Sequence, residues 1–98
     1  MNNNEVANII YNQIGYKSML MIGAKNLVTM DDGLGFKIMR NTKGINYIEI
    51  KLNSLDLYDV RFCYVTVKGI KEIAVDNNCY TDMLRGSIEK NTGLYIRL

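Results

Sequence analysis

The sequence has no histidine and no proline, and only two cysteines among its 98 residues. Without histidine, the commonest general base and the commonest metal ligand are both missing. The two thiols, Cys63 and Cys79, form no C-x-x-C pair, so a zinc centre lacks the ligands it needs. Isolated cysteines of this kind read as small buried hydrophobes in a reducing compartment, with a Cys63–Cys79 disulfide as the minor alternative. No apolar run approaches the roughly 20 residues of a membrane-spanning helix. Met1-Asn2-Asn3-Asn4-Glu5 has neither the basic nor the apolar segment of a secretory signal. The expectation is a cytoplasmic protein with no membrane partner.

What the chain does have is enough apolar matter for one core. Its hydrophobic fraction is 48% and its charged fraction 22%, ordinary globular values that argue against disorder. The length suits one domain spanning 1–98 and is too short for two independent cores. A core of this size leaves a net stability of roughly 5–10 kcal/mol, so association with a partner or a second copy would help. The net charge of +2 neither demands nor excludes an acidic partner.

Periodicity divides the chain. Val6, Ile9, Ile10 and Ile14 recur at helical spacing, which predicts a helix over 4–14 with Asn3 or Asn4 as cap and Gly15 as terminator. The apolar run Met19 to Ile22 reads as a strand buried on both faces, followed by a turn at 23–26 and a short strand from Leu27 to Met30. Asp31-Asp32-Gly33 is a turn signal. Alternation then predicts strands over 34–39, 47–52, 57–67 and 70–75, joined by turns at 41–44, 53–56 and 68–69. Asp76-Asn77-Asn78 closes the sheet and caps a second helix carrying Tyr80, Met83, Leu84 and Ile88, with Gly93 as its end. The class is α+β: an antiparallel sheet of four or five strands with an N-terminal and a C-terminal helix on one face.

The other face would carry Tyr47, Glu49, Lys51, Asp59 and Arg61. A mixed aromatic and charged face is a candidate binding surface, and ordinary cross-strand ion pairs are the simpler reading. Cys63 falls in the same alternation, where Arg61 would lower its pKa, although a structural thiol explains it as well. Asp31 and Asp32 lack the ligand spacing of a calcium loop, and the single G-x-G at Gly33 and Gly35 is explained by turn chemistry. The most basic stretch holds Lys25, Lys37, Arg40 and Lys43. With the amides around Gly44 it suits a phosphate, and Tyr47 suits a stacked base. Against this, Asp31 and Asp32 would offset part of the charge. The candidate binding residues are therefore Lys25, Lys37, Arg40, Lys43, Tyr47, Glu49, Lys51 and Arg61, with no catalytic residue, metal or cofactor.

Several segments together carry a resemblance: Gly23-Ala24-Lys25-Asn26, the run from Arg40 to Ile48, Leu52-Asn53, the run from Leu55 to Asp59, Tyr80 to Leu84, and Thr92-Gly93-Leu94-Tyr95. The chain resembles a family of small uncharacterised proteins of tailed phages and prophages. The resemblance implies an origin, in the cytoplasm of an infected or lysogenic bacterium, and carries over no catalytic residue. A small phage-encoded protein without catalytic apparatus is expected to be a binding protein. Three activities fit. The leading expectation is an anti-CRISPR-like inhibitor that occludes a host defence protein or protein–nucleic-acid complex, with the other two as alternatives. The second is a nucleic-acid-binding accessory of phage replication or recombination. The third is a sponge for a signalling nucleotide, as a homodimer with Arg40, Lys43 and Tyr47 around a shared pocket.

Overall fold

A computed structural model describes residues 3–96. Its elements are α1 (Asn3–Ile14), α2 (Tyr16–Met21), β1 (Lys25–Met30), β2 (Gly33–Lys37), β3 (Tyr47–Leu52), β4 (Tyr58–Thr66), β5 (Gly69–Cys79), a 3₁₀ turn (Thr81–Met83) and α3 (Leu84–Thr92). The capping side chains of Asn3 and Asn4, and the tail residues Arg97 and Leu98, lie outside the described residues. The strands form one antiparallel meander in the order β1-β2-β3-β4-β5. This is the expected α+β class with five strands. No described helix is long and apolar enough to cross a membrane.

Alternation decides which sheet face is covered. Phe36, Ile48 and Phe62 stand opposite one another on adjacent strands, as do Leu34, Ile50 and Val60. All six are buried beneath the helices. From α1 the sheet receives Val6, Ala7, Ile10 and Ile14, while Ile9 stays exposed. The i, i+4, i+8 row is completed on the flank of Ala7 rather than that of Ile9. Tyr58 Oη donates a 2.6 Å hydrogen bond to Gln13 Oε1, tying β4 to α1. Burial pushes the Tyr58 phenol above its ordinary pKa.

The run Met19 to Ile22 is the end of α2 and not a strand. A short apolar run does not by itself distinguish the two. Here Met19 N–H bonds the carbonyl of Gly15 and Ile22 N–H that of Ser18, both at helical spacing. Ser18, Met19 and Ile22 go inside while Leu20 faces out, so one side is buried rather than two. Gly15, at φ 96°, makes the break between α1 and α2 in a region L-residues avoid.

The second departure lies at 76–78. These residues continue β5 to Cys79 instead of capping a helix. Asp76 clamps α3 sideways: its Oδ2 accepts from Ser87 Oγ at 2.5 Å and Asn91 Nδ2 at 3.0 Å, with Lys90 Nζ at 3.4 Å. Both outer strands are blunted. The β1–β2 register shifts between Lys25 and Val28, and the β4–β5 register shifts twice. Such bulges twist an edge away from pairing with another sheet.

The Ser87 hydroxyl, helped by Asn91 and Lys90 and opposed by burial, holds the Asp76 carboxyl below its ordinary 3.8. A depressed carboxylate stabilises the fold above its unfolded pKa, and that contribution disappears as pH falls through the folded value. Asp76→Asn should therefore cost about 1–2 kcal/mol at pH 7 in urea unfolding. The gap to wild type should close as the pH drops below about 4. A gap that does not change with pH would refute the clamp.

Candidate functional site

The uncovered face is built from ladder rows. One runs Lys25, Lys37, Tyr47, Cys63, Glu72; the next runs Val28, Gly35, Glu49, Arg61, Val75; the third includes Met30, Gly33, Lys51 and Asp59. In the second row the charges are engaged with one another. Arg61 donates from Nε to Glu72 Oε1 at 2.8 Å and from Nη1 to Glu49 Oε1 at 3.2 Å. Lys51 Nζ lies 3.9 Å from the same Glu49 oxygen. Asp59 accepts 3.0 Å bonds from Asn53 Nδ2 and from the Asn78 amide. These residues floor a shallow hollow of about 560 Å³. The cross-strand pairs of Arg61 with Glu49 and Glu72 contribute about 0.2–1 kcal/mol each, so these residues have a sheet-holding role that accounts for them without a ligand, while Lys51 pairs only along its own strand.

Cys63 belongs to this face but is 1% exposed. Burial pushes its thiol pKa up, and Arg61 pulls it back by less. The second thiol, Cys79, is also free, buried and raised by burial. A thiol held protonated in this way is a poor nucleophile.

The first row is different. Lys25 stands directly opposite Lys37, and both are exposed. Tyr47 follows on β3, its hydroxyl end laid over Gly35. Burial, then Glu49, raises its phenol pKa. Beyond the row rises the loop 38–46, which carries Arg40 and Lys43. Asn41 organises it: Oδ1 accepts from the amides of Lys43 and Ile45, each at 3.2 Å, and Nδ2 donates to the carbonyls of Met39 and Ile45. Asn46 ties the loop to β4 by exchanging two bonds with the backbone of Val65, at 2.7 and 2.9 Å.

The β4–β5 hairpin outruns the rest of the sheet at the same end. It adds Tyr64, directly opposite Lys71, and Lys68 at the turn. Lys25, Lys37, Arg40, Lys43, Lys68 and Lys71 thus share one end, and none has a described carboxylate within ion-pairing distance. The acidic turns lie at the other end, with Asp31 and Asp32 after β1 and Asp56 before β4. From Gly33 to Lys37 the strand spans about 14 Å at roughly 3.4 Å per residue. That exceeds the screening length of about 8 Å at physiological salt. The expected offset by Asp31 and Asp32 is therefore weak.

The structure thus gathers Lys25, Lys37, Tyr47, Arg40 and Lys43 at one end and leaves Glu49, Lys51 and Arg61 in the ion-pair network. Tyr64, Lys68 and Lys71 were not singled out in the sequence. Tyr64 falls on the same face as Tyr58, Val60 and Phe62, yet lies near the end of β4 and is 46% exposed. Its signal was the length of the 57–67 run. Among the described residues no three His, Cys, Asp or Glu side chains converge as metal ligands do.

A Cβ at Gly35 would fall 1.9 Å from the Tyr47 hydroxyl oxygen. Gly35→Ala should therefore force the ring aside and destabilise the fold by about 1 kcal/mol, and in a Tyr47→Leu background the cost should vanish. An equal cost in both backgrounds, measured by thermal unfolding, would show that Tyr47 does not rest on this glycine. Compared with family models, curated proteins and solved structures, the chain matches none.

Proposed function

We propose that this is a non-enzymatic binding protein of phage or prophage origin that engages nucleic acid through its basic end. The single observation that carries the reading is the Lys25–Lys37 pair. Lys25 and Lys37 are directly opposed on neighbouring strands, so two exposed cations start from backbones only about 5 Å apart and repel each other. Like charges directly opposite weaken a sheet, and no described carboxylate relieves these two. A phosphate between them turns repulsion into attraction. Arg40, Lys43, Lys68 and Lys71 extend the same field along a path that a phosphate backbone can follow.

The origin rests on the resemblance carried by the Arg40–Ile48 and Leu55–Asp59 segments. The absence of an enzymatic role is supported by two buried thiols with raised pKa values and by the lack of any histidine. An accessory of phage replication or recombination is the biological role this surface suits best.

A second reading has its own observation. Val67, fully exposed at the hairpin tip, and Ile70, at 65% exposure, put apolar matter beside the cations. Apolar anchors next to charge suit a protein partner. In that reading the protein occludes a host antiviral defence complex, with the tip against protein and the basic end against the bound nucleic acid.

Neutralising about four phosphates of a single strand gives a slope near −3 in log K against log salt. Affinity should therefore fall about fiftyfold between 50 and 200 mM salt, measured by fluorescence anisotropy with a labelled oligonucleotide. Replacing Lys25 and Lys37 by serine should reduce the slope by about 1.4. Replacing Glu49 and Arg61 by glutamine should leave it unchanged. A salt-independent affinity, or equal effects from the two double variants, would refute the reading.

A further inference from the structure

Tyr64 and Arg40 line one hollow of about 330 Å³, between the loop 38–46 and the root of the β4–β5 hairpin. Ile38, Asn41, Gly44, Ile45 and Asn46 complete its walls. Tyr64 shares the face of Tyr58, Val60 and Phe62, so the hollow lies on the helix side of the sheet and is separate from the Lys25–Lys37–Tyr47 row on the uncovered face. Three features of this hollow call for an occupant with a flat apolar body and a negative charge.

The first is the aromatic ring. Tyr64 has no hydrogen-bond or ionic partner among the described residues, is nearly half exposed, and sits where a packed core residue would be expected from its place in the strand. The second is the cation pattern. Arg40 lines the hollow together with Tyr64, and Lys68 and Lys71 line a neighbouring hollow that shares Tyr64, Lys71 standing directly opposite it on β5. None of the three has a described ionic partner. The third is rigidity. Asn41 and Asn46 have their side-chain amides committed to the backbone, which fixes both walls in place before any ligand arrives. A preformed site avoids the ordering cost that a mobile loop would incur on binding.

We infer that this hollow is a nucleobase-stacking site, in which one unpaired base lies against the Tyr64 ring and the Arg40 guanidinium while Lys71 and Lys68 take the adjoining phosphates. Aromatic rings and arginine planes are the surfaces on which splayed bases stack. The base must be free of its duplex partner to reach the ring. The preferred ligand is therefore single-stranded nucleic acid rather than duplex. This rests on the basic end binding phosphate, and it adds a separate claim about the bases.

The test compares three ligands of equal phosphate count on the wild-type protein at 100 mM salt: a single strand of thymidines, the same backbone without bases, and a duplex. The single strand should bind about tenfold more tightly than the baseless strand. Tyr64→Leu should lose that advantage and bind both strands alike, whereas Tyr64→Phe, which keeps the ring, should retain it. The position is half exposed, so folding of both variants can be checked by thermal unfolding, and the wild-type comparison does not depend on them. Equal affinity for the thymidine and baseless strands would overturn the base site while leaving the phosphate reading intact. Failure of all three ligands to bind would overturn both. A thymidine advantage that survives Tyr64→Leu would overturn the assignment to this hollow.

Discussion

Phe36, Ile48 and Phe62 lie side by side on three neighbouring strands, completely removed from water, and they lock the register of the sheet. Because side chains alternate with a period of two, a slip of one residue would turn all three to the uncovered face and bring Lys37, Tyr47 and Cys63 beneath the helices. Burying a charged lysine in that way costs several kcal/mol, so the correct register has little competition. From this lock follow the two faces, the seating of α1 over β1 and β2, and the position of every charged side chain along the ladder.

The register also sorts charge. In a five-strand meander, alternate turns fall at the same end. The first and third turns hold Asp31, Asp32 and Asp56; the second and fourth hold Arg40, Lys43 and Lys68. A chain of net charge +2 thereby acquires an acidic end and a basic end. The modest overall charge hides the local field, which matters more for attracting a polyanion than the total does. The middle of the uncovered face is different again, because Glu49, Arg61 and Glu72 satisfy one another there.

Much of the sheet was legible in the sequence, since each of β2 to β4 alternates cleanly and the turns between them carry Gly, Asn or Asp. Two segments were not. Met19 to Ile22 is uniformly apolar, so its periodicity is silent, and only backbone bonds to Gly15 and Ser18 show the helix. At 76–78 the residue types of a helix cap were present, but Asp76 uses its carboxylate to hold α3 from the side. The candidate site was half legible for a related reason. Lys25, Lys37, Arg40, Lys43 and Tyr47 cluster in the sequence as well as in space. Tyr64, Lys68 and Lys71 join them only once the strand order brings the fourth turn beside the second. Composition and spacing do not encode that order.

The central claim is that the basic end is the working surface. Two-dimensional NMR of the labelled protein, titrated with a short single-stranded oligonucleotide, tests it most directly. The account predicts that shifting amides cluster at Lys25, Lys37, the loop 38–46 and the hairpin from Tyr64 to Lys71, and that Asp31, Asp32 and the 53–57 turn stay still. Shifts centred on the Glu49–Arg61–Glu72 network or at the acidic end, or no shifts at all, would contradict it.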